Sequence, residues 1–155
     1  MLTVHHLETS RSHRVLWLLE ELGTPYVLQS YARDPLTRLA PPALRAVHPL
    51  GKSPVLTDGD ITVAESAAIL EYLLDTYGEG RFRPAPGTAA FRSYTYWMHF
   101  AEGSAMLPLL LKLYSSFLGD AAAPLQPRID SEIANKFAFM GGVLTGRDFA
   151  CGAGC

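Results

Sequence analysis

Residues 48–66, HPLGKSPVLTDGDITVAES, restrict the possible folds more than any other part of this chain. Pro54 suits the first position of a strand, because it has no N–H to give to a ladder. Val55 and Leu56 follow it, Asp58-Gly59-Asp60 supplies a tight turn, and Ile61 and Val63 alternate with Thr62. Glu65 and Ser66 then open AAILEYLLDTYG, whose apolar residues recur at helical spacing until Gly78. The stretch reads as loop, strand, turn, strand and helix start.

The residues before it complete a pattern. Residues 2–5 predict a first strand, and LETSRSHRVLWLLEELGTPY predicts a loop, an amphipathic helix and a stop. Val15, Leu16, Leu18, Leu19 and Leu22 form the apolar stripe; Gly23 suits a left-handed helix end and Pro25 prevents continuation. Residues 26–31 predict a second strand, and residues 42–47 a proline-bounded helical turn. The order is βαβ followed by ββα. The first unit demands a right-handed crossover and a parallel pair, and the hairpin adds antiparallel strands to the same sheet.

Four residues around the hairpin carry ligand chemistry. With a cis bond at Ser53-Pro54, the Ser53 backbone would be free to pair with an extended peptide, as one more strand does. Ser66 at a helix start offers a hydroxyl and unpaired amides, a seat for a carboxylate. Glu65 suits an ammonium, and Lys52 a second carboxylate. A ligand with an amino-acid head, a peptide backbone and a far carboxylate fits this set, and glutathione is such a ligand.

HPLGKSPVL followed by AES resembles the glutathione-binding half of the cytosolic glutathione S-transferases. Most members of that family carry an Asn-Pro-x-Gly-Lys-Val-Pro-x-Leu segment and then Glu-Ser or Gln-Ser. The resemblance implies an α/β thioredoxin-like N-terminal domain (βαβ-ββα). It implies that Lys52 binds the glycine carboxylate, that Ser53, before Pro54, pairs with the peptide backbone, and that Glu65 with Ser66 holds the γ-glutamyl head. Ser10, in a Ser-x-x-x-Arg setting similar to that of theta-like members, would donate a hydrogen bond to the glutathione thiolate. Ser12 is the alternative donor, and Thr9, Ser10 and Ser12 could each instead cap the helix. His5, His6 and His13 show no metal-ligand spacing and read as surface or loop residues; no metal is expected.

Residues 81–87, rich in Pro and Gly, read as a linker between a domain at 1–80 and a helical region at 88–155. Residues 88–117 predict one long helix that Pro108 kinks or divides. YWMHFAEGSAMLPLLLKL resembles the first helix of the family's all-helical second domain, which faces the partner subunit. Against that resemblance the second domain is incomplete. Residues 127–139 begin a helix that Met140-Gly141-Gly142 interrupts, a loss near residues 138–143 is expected, and VLTGRDFACGAGC leads toward a capped helix that does not follow. The expectation is a C-terminally truncated member whose long amphipathic helix leaves apolar surface in water.

A net charge of −2 argues against nucleic acid and anionic membranes as main partners. Met1 leads into a strand without a basic leader, so the cytoplasm is the expected location. Cys151 and Cys155 lack redox spacing and read as incidental exposed thiols; with no earlier cysteine, a thioredoxin-type oxidoreductase is disfavoured. The expected function is a homodimeric transferase joining the glutathione thiolate to an apolar electrophile. The alternative is a glutathione-binding or interaction module without turnover.

Overall fold

The computed structural model describes residues 1–151, and Cys155 lies outside them. The chain separates into two compact units, Met1–Gly80 and Arg81–Cys155.

The first unit runs β1 (Leu2–Leu7), α1 (His13–Leu22), β2 (Val27–Tyr31), α2 (Pro42–Val47), β3 (Val55–Asp58), β4 (Ile61–Ala64) and α3 (Ser66–Tyr77). The sheet order is β2-β1-β3-β4, with β1 and β2 parallel and both other pairs antiparallel. This is the thioredoxin-like arrangement expected from the order of elements. Strand β1 runs two residues beyond the expected His5, because His6 and Leu7 pair with Ser30 and Tyr31 of β2.

Helix α1 ends as its sequence dictates. Gly23 takes φ 68°, its N–H bonds the Glu20 carbonyl, and the Thr24 N–H reaches back to the Leu19 carbonyl. This pair of bonds closes the helix in a Schellman turn. Helices α1 and α3 pack on each other, and Val15, Leu19, Leu44, Leu56, Ile69 and Leu73 are fully buried. Deleting such a side chain costs about 2–5 kcal/mol.

The far end of the hairpin is tied to α3 by Asp58, whose Oδ2 accepts from the hydroxyls of Tyr72 and Tyr77. The Tyr77 bond, aided by Tyr72, holds the Asp58 carboxyl below its ordinary range against an opposing effect of burial. Tyr77 is pushed up to about 12, first by the bond to Asp58 and then by burial.

The second unit runs α4 (Ala89–His99), a π-helical stretch (Phe100–Ala105), α5 (Met106–Ser115), a 3₁₀ stretch (Ser116–Leu125) and α6 (Gln126–Leu144). The Thr88 hydroxyl accepts from the Phe91 N–H and caps α4. The single helix expected over residues 88–117 is thus divided, but ahead of Pro108. The missing N–H of Pro108 would bond Ser104, and the wider turn lies at that carbonyl, so α5 continues through the proline. The break expected at Met140-Gly141-Gly142 does not occur, and α6 runs through to Leu144. Adding residues to a formed helix is cheap compared with nucleating one, and two glycines cost only about 1 kcal/mol each.

Trp97 stacks on Phe139 at 5.6 Å between ring centroids and meets Phe100 edge-on at 5.2 Å. On α5 and the stretch after it, Leu111, Leu113, Tyr114, Phe117 and Leu118 stay exposed, Phe117 at 76%. Cys151 is half-buried, not the exposed thiol expected from the sequence. Among the described residues no helix is long and apolar enough to cross a membrane, and no His, Cys, Asp and Glu cluster is placed to hold a metal.

The pH sign follows from these shifts. A depressed carboxyl contributes stability above its unfolded value, lost as pH falls through its folded value; a raised tyrosine contributes stability below about pH 10, lost as pH rises toward 12. Urea unfolding across pH should therefore show a shallower acid limb for Asp58→Asn, with a loss of roughly 1–3 kcal/mol at neutral pH. Tyr77→Phe should flatten the alkaline limb; profiles matching the wild type would refute the linkage. A Cβ on Gly141 meets nothing within 4 Å. Gly141→Ala should then raise the unfolding free energy by roughly 0.5–1 kcal/mol, and a loss would show that α6 frays there.

Candidate functional site

The strand register gathers three loops at one end of the sheet. His5 of β1 lies opposite Val55, and Val55 lies opposite Ala64 of β4. The end of β1, the start of β3 and the end of β4 therefore adjoin. They carry Ser10, then Lys52, Ser53 and Pro54, then Glu65 and Ser66.

Gly51 prepares the second loop. It takes φ 57°, which favours glycine, and a Cβ there would lie 2.6 Å from Cγ of Arg45 and push that side chain aside. Lys52 beyond it is exposed, Ser53 is half-buried, and the Ser53-Pro54 bond is cis. The Ser53 hydroxyl accepts from the Leu7 N–H at 3.1 Å and donates to the His5 carbonyl at 2.9 Å. The third loop holds Glu65 at φ 74°, ψ 126°, outside the favoured regions for a side-chain-bearing residue. Such backbone costs of order 1–3 kcal/mol and concentrates at ligand-holding positions. The first bond of α3 runs from the Ile69 N–H to the Glu65 carbonyl, so the amides of Ser66, Ala67 and Ala68 are unused within the helix. Ser66 is 4% exposed.

The first loop gives the two serines different surroundings. Ser12 is 0% exposed and half-buried Ser10 is not. Ser10 Oγ lies 2.8 Å from Ser12 Oγ and 3.2 Å from Ser53 Oγ, and the Ser12 N–H bonds Ser10 Oγ at 3.3 Å. Ser12 stands at the N-cap of α1 without a side-chain cap, so the capping role open to it from sequence is not the one its hydroxyl plays. That hydroxyl contacts His6 Nδ1 at 2.6 Å. Ser10, Ser12 and Ser53 are thus brought into one hydrogen-bonded group.

The family model for the glutathione S-transferase N-terminal domain matches residues 10–76. Glutathione S-transferase 3 of Schizosaccharomyces pombe is 47% identical over 88% of this chain and 54% of its own length. Glutathione S-transferase 1 of Saccharomyces cerevisiae is 30% identical over 94% of this chain and 70% of its own length. A glutathione S-transferase crystal structure from Actinobacillus pleuropneumoniae superposes with a TM-score of 0.86 and 41% identity, over 99% of this chain and 71% of that one. The chain belongs to the glutathione S-transferase family.

The chain spans about half the length of its fission yeast relative. Sequence reasoning misses two parts of its site region. His5 and His6 are strand residues, not the surface or loop residues expected. His5 is 8% exposed and bridges Tyr31 Oη at 2.9 Å and Thr57 Oγ1 at 3.1 Å, its pKa lowered by burial. Their place between Val4 and Leu7 in a central strand was the available signal. Arg33 is the second: Nε donates to the Glu8 carbonyl at 2.8 Å and Nη2 to the Thr9 carbonyl at 3.1 Å, pinning the loop that carries Ser10. No motif marks that arginine.

Ser53→Ala orphans a donor and an acceptor of β1 and should cost roughly 2–4 kcal/mol in urea unfolding. Ser10→Ala should cost less, about 1 kcal/mol, because the Ser12 and Ser53 hydroxyls keep other partners and only the long 3.3 Å bond from the Ser12 N–H is lost. The reverse order would show that Ser53 is not the hydroxyl the fold leans on.

Proposed function

We propose that the chain is a glutathione transferase, with residues 1–80 binding glutathione, residues 81–87 as linker and residues 88–155 as a helical domain. The observation that carries the reading is the half-buried Ser10 hydroxyl 3.2 Å from Ser53, at the sheet end that also carries the start of α3. Glutathione would pair its backbone with Ser53, ahead of Pro54, seat its γ-glutamyl head on Glu65 and Ser66, and reach Lys52 with its glycine carboxylate. Its sulfur then lies beside Ser10.

A free thiol ionises near ~8.5, so only a few per cent is thiolate at neutral pH. A hydroxyl donor and a helix N-terminus both favour the anion. Each pH unit of lowering is worth about tenfold in the ratio of thiolate to thiol. The thiol proton goes to solvent, the sulfur lone pair forms a bond to an electrophilic carbon, and the displaced group leaves with the electrons of the bond that breaks. Ser10 donates a hydrogen bond throughout and is not itself the nucleophile. A homodimer is supported by the exposed apolar side chains of α5, and a cytoplasmic location by the family membership.

The same exposed side chains favour the second reading, a glutathione-binding module without turnover. Thermal unfolding with increasing glutathione separates these readings from no binding at all. At 100 times the dissociation constant the native state should gain about 2.7 kcal/mol, and Ser66→Ala should weaken the gain. A transition indifferent to glutathione would overturn both. Ser10→Ala should bind glutathione and lose tenfold or more in conjugation rate; binding without any Ser10-dependent conjugation would leave only the module.

A further inference from the structure

We propose that His6 is a positioning residue for the thiolate, acting through buried Ser12 to aim the Ser10 hydroxyl proton at the sulfur. This rests on the transferase reading above and goes beyond it, because the hydrogen bond of His6 is to Ser12 and not to Ser10 or Ser53.

The protons of the network can be counted. Each serine hydroxyl has one to give. Ser53 spends its proton on the His5 carbonyl at 2.9 Å, so in the 3.2 Å contact with Ser10 it can only accept. Ser10 is therefore the donor there. With its proton directed at Ser53, Ser10 can only accept in the 2.8 Å contact with Ser12, which makes Ser12 the donor. Ser12 has then spent its own proton, and in the 2.6 Å contact His6 must donate from Nδ1. One direction satisfies every contact: His6 Nδ1–H to Ser12, Ser12 to Ser10, Ser10 to Ser53, Ser53 to the His5 carbonyl.

Reversing His6 breaks this order. A ring carrying its proton only on Nε2 would present Nδ1 as an acceptor and draw the Ser12 proton away from Ser10. Solvent cannot repair the loss, because Ser12 is 0% exposed. Each hydroxyl that accepts a bond becomes a better donor of its own, so a sulfur that replaces Ser53 as the acceptor meets a strengthened O–H. Ser10 also accepts from the Ser12 N–H at 3.3 Å, which leaves its proton no inward target. Burial and the neighbouring His13, its ring 5.3 Å away, lower the His6 pKa while Glu8 raises it. Both the neutral Nδ1–H ring and the imidazolium donate from Nδ1, so the direction survives titration of His6.

The test uses the full chain and reads the ultraviolet absorbance of the bound glutathione thiolate against pH. His6→Leu and Ser12→Ala should each raise the bound thiol pKa by about half a unit, a roughly threefold loss in the ratio of thiolate to thiol. The double variant should go no further, because both changes cut one chain of bonds. His6→Asn, whose side-chain amide places an N–H near the Nδ1 position, should stay close to wild type. Binding of glutathione below its thiol pKa should be unchanged in all four. An unshifted pKa in His6→Leu, additive shifts, or a His6→Asn variant as impaired as His6→Leu would overturn the proposal while leaving the transferase reading intact. If His6→Leu does not fold, Ser12→Ala with its unliganded counterpart decides: nitrogen NMR of the ring should show Nδ1–H in the wild type and its loss in Ser12→Ala. An Nε2–H ring in the wild type overturns the proposal. A wild type that binds no glutathione sinks the transferase reading and this proposal together, a result distinct from every variant outcome.

Discussion

The hydrogen bonds of one serine hydroxyl join the sheet to the site. Strand β3 begins at Val55, and Pro54 before it has no N–H to extend the ladder along β1. The Ser53 side chain supplies what the backbone lacks, giving a proton to the His5 carbonyl and accepting one from the Leu7 N–H. Buried backbone groups must find partners, so the last turn of β1 depends on this side chain as it would on a neighbouring strand. The loop that follows β1 then starts from a fixed point, and Arg33 holds the Glu8 and Thr9 carbonyls of that loop from the other side.

This dependence divides the serines by use. Ser53 has committed its proton to the fold, Ser12 is sealed from solvent, and Ser10 is the hydroxyl of the three that is neither committed nor sealed. A hydroxyl that must give a hydrogen bond to an arriving anion has to keep its proton transferable between acceptors. Ser10 can do so at little cost, because leaving Ser53 as an acceptor does not orphan it: the Leu7 N–H still fills that oxygen. The bonds that build the site and the bond that would serve a ligand are thus separable.

How much of this was legible in the sequence depends on whether the signal was local. The α1 terminus at Gly23, the α2 segment at 42–47 and the hairpin around Gly59 were readable because glycine and proline act through their own backbone geometry. Pro108 and Gly141-Gly142 are the same residue types and misled, because an established helix on both sides outweighs one missing N–H or two poor helix formers. His5 and His6 misled for another reason: a polar residue in a central strand is tolerable only with partners, and Tyr31, Thr57 and Ser12 are distant or unremarkable in sequence. The choice between Ser10 and Ser12 was open in the sequence because both follow β1 within one turn. Their difference in burial is a property of the assembled chain, which no local sequence signal carries.

The two units solve the problem of apolar area differently, and this bears on where the chemistry can reside. In Met1–Gly80 the core is aliphatic, with Leu19, Leu44, Leu56, Ile69 and Leu73 fully buried, although Trp17 and Leu36 remain exposed. In Arg81–Cys155 the buried apolar residues are few, Tyr94, Phe100, Ala122 and Ile129 among those described, with Trp97 and exposed Phe139 stacked beside Phe100, while α5 shows leucines and Tyr114 to solvent. A buried hydrogen-bond network keeps its partners in reach only where the surrounding backbone is held in place, and close-packed cores do that. The serine network belongs to the unit with such a core. Packing beneath β1 and β3 therefore holds its donors and acceptors in place, while the proton that Ser53 gives to the His5 carbonyl starts the count that sets its direction.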